Sequence, residues 1–210
     1  MVFYAVINIS QLKDSETDIL REKVKKHFIK SDTLKRKESV AAKALLCFLL
    51  KKHYKLFDFT VNCDKNGKPF ITDSEIFFNL SHSGSYVLCA VGNEKIGCDI
   101  QEIKECNLKV AQRFFTESEC ICLEKSENKA LDFTSLWSLK ESVLKFSGEG
   151  IVGGLDRYDF SEYYNKGSFT FEGLCFDRFE FENFVASICS EKGCISQLNA
   201  DIEDIMNFDF

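Results

Sequence analysis

Residues 76–103 read IFFNLSHSGSYVLCAVGNEKIGCDIQEI, and the reading of this stretch decides the fold. Apolar and β-branched runs punctuated by Gly, Ser and Asn predict strand, polar loop, strand, a tight turn around Gly92 and Asn93, and a third strand. Side chains alternate along a strand, so Ile96, Cys98 and Ile100 face one way while Gly97, Asp99 and Gln101 face the other. A carboxylate there, with a glycine leaving room beside it, suits a hard cation that takes oxygen ligands. The same pattern also suits an ordinary exposed strand face. The loop NLSHSG either presents Ser81 and His82 to an anion or is a plain polar turn.

Working outward, VFYAVINI near the N-terminus alternates like a half-buried strand, and SETDILREKVKKHF has helical spacing at Ile19, Leu20, Val24 and Phe28. A second helix is expected from Ser31 or Asp32, both good N-caps, through LKRKESVAAKALLCFLLKKHY, with its basic residues in the early turns. NCDKNGKPFI reads as a turn. Beyond residue 103, KVAQRFFTESECICLEKS and ALDFTSLWSLKESVLKFSG have helical periodicity, and GEGIVGG breaks the second before several short aromatic strands. SYVLCAV at 85–91 and NFVASIC at 183–189 echo each other, which hints at two similar halves.

The composition narrows the class. At 210 residues the chain can bury a full core, and 45% hydrophobic content with 21 phenylalanines describes a packed globular protein. Most of the ten cysteines sit inside apolar runs such as ALLCFLL, where a thiol acts as a small hydrophobe. No C-x-x-C pair occurs, and Cys120 with Cys122 lacks a matching Cys/His pair, so reduced thiols are expected rather than a zinc site. The N-terminus has no signal-peptide pattern, no run reaches membrane-spanning length, and a net charge of -6 argues against general nucleic-acid binding. The basic cluster around Lys35, Arg36 and Lys37 could still meet a phosphate-bearing ligand.

In LWSLKESVLK, Leu136, Leu139, Val143 and Phe146 share one helical face, while Trp137, Glu141 and Lys145 align on another. Glu141 and Lys145 project together, as a surface ion pair or as part of a site. Taken in order, the basic helix, GKP, NLSHSG, IGCDIQ, RFFTESE and WSLKESVLKFSGEGI form a set. It resembles the 4'-phosphopantetheinyl transferases, specifically the two-halved type that activates nonribosomal peptide and polyketide synthases. The G-x-D strand and W-S-x-K-E-S-x-x-K are the most diagnostic pieces.

The resemblance implies an α+β fold of two similar halves packed as a pseudo-dimer, 1–97 and 98–210, with the active site in the cleft between them. It implies transfer of the phosphopantetheine arm of coenzyme A to a serine of an acyl or peptidyl carrier protein, with Mg2+ on the pyrophosphate. By the same match Asp99 and Glu141 are metal ligands, Glu141 is also the base, and Lys145 holds the pyrophosphate, with Lys140 a weaker candidate for that role. Ser81 and His82 match the contact to the 3'-phosphate, Lys68 the lysine near the adenine nucleotide, and Arg36 or Lys37 the coenzyme-A-binding arginine. Many relatives carry an acid where this chain has Gln101, so Gln101 is expected to touch the metal through its carbonyl or to orient a water, with Mn2+ as an alternative metal. A monomeric cytoplasmic enzyme with no nucleic-acid or membrane partner completes the expectation. Two other readings are a non-catalytic relative that binds coenzyme A or carrier protein, and a metal or redox protein exploiting its thiols.

Overall fold

The computed structural model describes residues 1–29, 34–149 and 154–210. The expected N-caps Ser31 and Asp32 lie outside the described residues. The chain opens with β1 (Val2–Asn8) and α1 (Asp14–Val24), which runs into a 3-10 turn ending at His27. The second helix, α2 (Lys37–Tyr54), starts later than expected, with Arg36 as its extended N-cap residue.

The hairpin β2 (Val61–Cys63) and β3 (Pro69–Ile71) follows, then β4 (Phe77–Ser83), β5 (Tyr86–Gly92) and β6 (Ile96–Glu102). Three strands thus occupy residues 76–103, with one correction. Ser81 and His82 belong to β4 itself, and the loop shrinks to Gly84 and Ser85, where Gly84 takes φ +52°. After β6 come α3 (Leu108–Phe114), α4 (Glu117–Lys125) and α5 (Lys129–Ser147). The chain ends with β7 (Ser168–Phe171), β8 (Leu174–Phe181), β9 (Phe184–Ser190), β10 (Ile195–Gln197) and α6 (Ile202–Met206). A Thr116–Glu119 capping box starts α4, and the αL residue Gly148 stops α5.

The fold is α+β, with two four-stranded sheets in the orders β10-β1-β5-β4 and β6-β9-β8-β7. Each half sets its last hairpin strand between its first strand and its next-to-last strand, all antiparallel. The echoing segments SYVLCAV and NFVASIC are β5 and β9, the equivalent central strands of the two sheets. Both are buried from end to end. The inner faces of the sheets meet through Tyr4, Leu88, Ile96, Ile100, Ala186 and Ile188, while α2 covers the outer face of the first sheet. α5 covers the outer face of the second, against Phe176 and Cys189.

The halves interlock more than a division after residue 97 allows. β6 starts at Ile96 and belongs wholly to the second sheet, so the chain changes sheets in the turn before it. After β9 it returns, since β10 pairs in parallel with β1 and the fully buried Ile205 of α6 joins the first core. Gly97 sets the distance between β6 and α5. A methyl group at this position would overlap the backbone of Ser142 and Phe146. The face carrying Gly97, Asp99 and Gln101 is therefore not an exposed strand face; it lies beneath α5. Gly97→Ala is expected to lower unfolding free energy by about 3 kcal/mol or more, read as a fall in urea midpoint; an unchanged midpoint would contradict this packing.

Candidate active site

The site begins with a ladder between the edge strands of the two sheets. Asn79 Oδ1 accepts from the Cys98 N–H (3.0 Å), Ser81 Oγ from the Ile100 N–H (3.3 Å) and Ser83 Oγ from the Glu102 N–H (3.0 Å). β4 thus satisfies the outward donors of β6 with side chains instead of carbonyls. Alternation places these three polar residues on the inner face of β4, a face that in β5 is apolar.

Asp99, 1% exposed, sits at the centre of this arrangement. Its Oδ1 accepts from Ser81 Oγ (2.8 Å) and from Lys145 Nζ (2.7 Å), and its Oδ2 from Gln101 Nε2 (2.9 Å). Lys145 Nζ also donates to Ser81 Oγ at 2.9 Å. β4, β6 and α5 thereby converge on one carboxylate, and a buried charge needs such partners. Burial is the largest single influence on the Lys145 pKa and lowers it, but the charge and hydrogen bond of Asp99, with Cys98 and Glu141, together outweigh it and the net shift is upward. Burial, and then the neighbouring Asp99 carboxylate, push Glu141 above the usual carboxylate range while Lys145 opposes them. Glu141 and Lys145 line a cleft of about 290 Å³ together with Asn66, Lys68, Asn79 and Leu144, so its walls come from both halves.

Other expected residues surround this centre unevenly. His82 faces away from Ser81 along β4, and desolvation pushes its pKa down, aided by Lys145 and Arg36 and opposed by Glu38 and Asp99. Arg36 therefore lies within charge range of the site at the N-cap of α2, and Lys37 is the first residue of that helix, half-buried. Lys68 is at the cleft wall, with Nζ donating to the carbonyls of Lys145 (2.5 Å) and Phe146 (2.9 Å).

Lys140 is not brought to the cleft. It is fully buried in the second half, where Nζ meets Glu119 Oε2 (2.8 Å) and the carbonyls of Leu155 (2.7 Å) and Tyr158 (2.6 Å). Its three N–H groups are spent there, which removes it from the phosphate-binding candidates. Glu119 further accepts from the Thr116 and Phe160 N–H groups. This knot ties α4, α5 and the segment at 155–160 together. The T-x-x-E signature at Thr116 was its visible sequence signal, whereas nothing marked Asn79 and Ser83 except their spacing of two with Ser81.

Among the described residues no group of three or more His, Cys, Asp and Glu could hold a metal ion, and the ten cysteines are free thiols. The donor set is still of one kind. Asp99, Glu141 and the Gln101 amide offer only oxygen toward a cation, which fits a hard ion completed by ligand phosphate and water. No helix among the described residues is long and apolar enough to cross a membrane.

Comparison with known proteins bears on this geometry. A family model of the 4'-phosphopantetheinyl transferase superfamily matches residues 95–193, the span from the turn before β6 to just past the end of β9 that carries Asp99, Glu141 and Lys145. The 4'-phosphopantetheinyl transferase ffp of Bacillus subtilis is 32% identical over 171 residues, covering 75% of this chain and 75% of that protein. The chain belongs to this superfamily. Sfp of Bacillus subtilis (strain 168) is 34% identical over 143 residues, covering 66% of this chain. The gsp transferase of Aneurinibacillus migulanus is 45% identical over 87 residues, 40% of this chain. The matches span 62% of Sfp and 36% of gsp, less than two thirds of either superfamily member.

Breaking the Lys140–Glu119 pair from one side strands a buried charge, so Lys140→Met is expected to cost about 3–5 kcal/mol. Denaturant unfolding of the variant checks this, and an unchanged midpoint would contradict the buried pair.

Proposed function

We propose that this chain is a phosphopantetheinyl transferase that moves the 4'-phosphopantetheine arm of coenzyme A to a serine hydroxyl of an acyl or peptidyl carrier protein. The observation that carries the reading is the buried Asp99 carboxylate paired with a partly exposed Lys145, beside Glu141 at the wall of a cleft between two similar halves. Family membership adds to it. The two-halved division, cytoplasmic location and monomeric state belong to the same proposal.

The serine oxygen attacks the β-phosphorus of coenzyme A, a new P–O bond forms, and the bond to the bridging pyrophosphate oxygen breaks to release 3',5'-ADP. Glu141 takes the serine proton, directly or through one water, a role suited to a carboxylate whose basicity is raised by burial. Lys145, held by Asp99 and Ser81, places a fixed cation where negative charge moves onto the leaving group. Asp99, Glu141 and Gln101 would hold Mg2+, or Mn2+ in its place, which when bound supplies charge neutralisation at the pyrophosphate. His82, with Arg36 in charge range of it and Lys37 next along the chain, forms the candidate group for the 3'-phosphate, with Arg36 favoured for its planar fork. Gln101 donates to Asp99 in this structure, so it orients the ligand carboxylate even where its carbonyl does not meet the ion.

Apo carrier protein incubated with coenzyme A and Mg2+ should gain the mass of one phosphopantetheine; no gain across several carrier classes would overturn the reading. Glu141→Gln is expected to lower the rate by about 10²–10⁴-fold, and Gln101→Glu to preserve or raise it. Full activity of Glu141→Gln would remove Glu141 from the mechanism. Calorimetric binding of coenzyme A without transfer would assign the chain instead to a non-catalytic role.

A further inference from the structure

The hairpin β2–β3 forms a sheet of its own, joined to neither four-stranded sheet. It nevertheless walls the cleft, and Pro69 lines three neighbouring cavities. Its tip is rigidly built: Asp64 Oδ1 accepts from the N–H groups of Asn66 and Lys68, both at 2.9 Å, and Gly67 turns the chain at φ +86°. This tip presents two donors to the end of α5. Lys68 Nζ meets the carbonyls of Lys145 and Phe146, and Asn66 Nδ2 meets the carbonyl of Gly148 at 3.0 Å.

The last four carbonyls of a helix have no partner within it, and a cation there also suits the helix dipole. Here three acceptors in the terminal segment of the catalytic helix are satisfied by the other half of the molecule. The ammonium of Lys68 has two of its three N–H groups engaged in this way, and Gly148 packs against the Lys68 side chain, where an added Cβ would stand 3.3 Å from Cδ.

We propose that Asn66 and Lys68 are positioning residues that latch the hairpin onto the C-terminal turn of α5, fixing the height of Lys145 over the cleft. The proposal rests on the transferase reading for its kinetic consequence but not for its structural one. It shifts Lys68 from a nucleotide contact to a clamp between halves, and it gives Asn66 a role in the reaction. Asn66 is exposed and carries no charge, so it offers no long-range electrostatic attraction to a phosphate.

Asn66→Ala, Lys68→Met, Lys68→Arg and the double variant Asn66→Ala/Lys68→Met test this, by steady-state kinetics and by amide hydrogen exchange of the 144–149 segment. Each of the first two is expected to lower kcat by about tenfold with KM for coenzyme A changed by less than about twofold. Both should speed exchange in that segment, the double variant should fall short of the product of the singles, and Lys68→Arg should recover slow exchange. The latch is overturned if Lys68→Met raises KM alone while Asn66→Ala is silent and exchange stays as in the wild type. Should Lys68→Met fold poorly, the exposed Asn66→Ala still decides the matter through exchange. Absence of transfer by the wild type would refute the transferase reading while exchange continued to report on the latch.

Discussion

A carboxylate at 1% exposure, Asp99, is the constraint around which the two halves are arranged. An unpartnered buried charge costs several kcal/mol, so the fold must deliver donors to it from wherever they can come. They come from three elements: Ser81 on an edge strand of the first sheet, Lys145 on the helix behind the second, and Gln101 two residues along its own strand. The charge can be satisfied only when both sheets and α5 are in register. The β4–β6 ladder of Asn79, Ser81 and Ser83 enforces that register through backbone donors that no carbonyl reaches.

The same arrangement explains the division of labour among the lysines near the site. Lys145 faces the cleft because Asp99 holds it there. Lys140, five residues earlier on the helix, turns into the second core and closes on Glu119. Lys68 reaches across from the first half to the end of the helix. Lys145 pairs with Asp99 at the cleft, Lys140 holds the helix against its own half, and Lys68, at the cleft wall, joins that helix to the other half.

Much of this was legible in the sequence, and the exceptions have physical causes. The strands of 76–103 were readable because Val, Ile and Phe alternate or run unbroken between Gly and Asn. Asp99, Glu141 and Lys145 were readable as a set because the G-x-D and W-S-x-K-E-S-x-x-K patterns fix residue types. NLSHSG looked like a loop because Asn79, Ser81 and Ser83 face inward, serving β6 donors instead of water, and local polarity carries no sign of such a partner. Lys140 looked like Lys145 because both are cations on one helix; only the distant Glu119 distinguishes them. The displaced boundary at β6 depends on sheet pairing, which periodicity does not register.

The account centres on Asp99 and Glu141 as the place where the two halves meet a charged ligand. Crystals grown with coenzyme A and Mn2+ test this most directly through anomalous scattering. The account predicts a manganese peak within direct ligand distance of carboxylate oxygens of both residues, with the pyrophosphate against Lys145. A nucleotide bound elsewhere, or a metal peak that leaves Asp99 paired only with Lys145, Ser81 and Gln101, would contradict it.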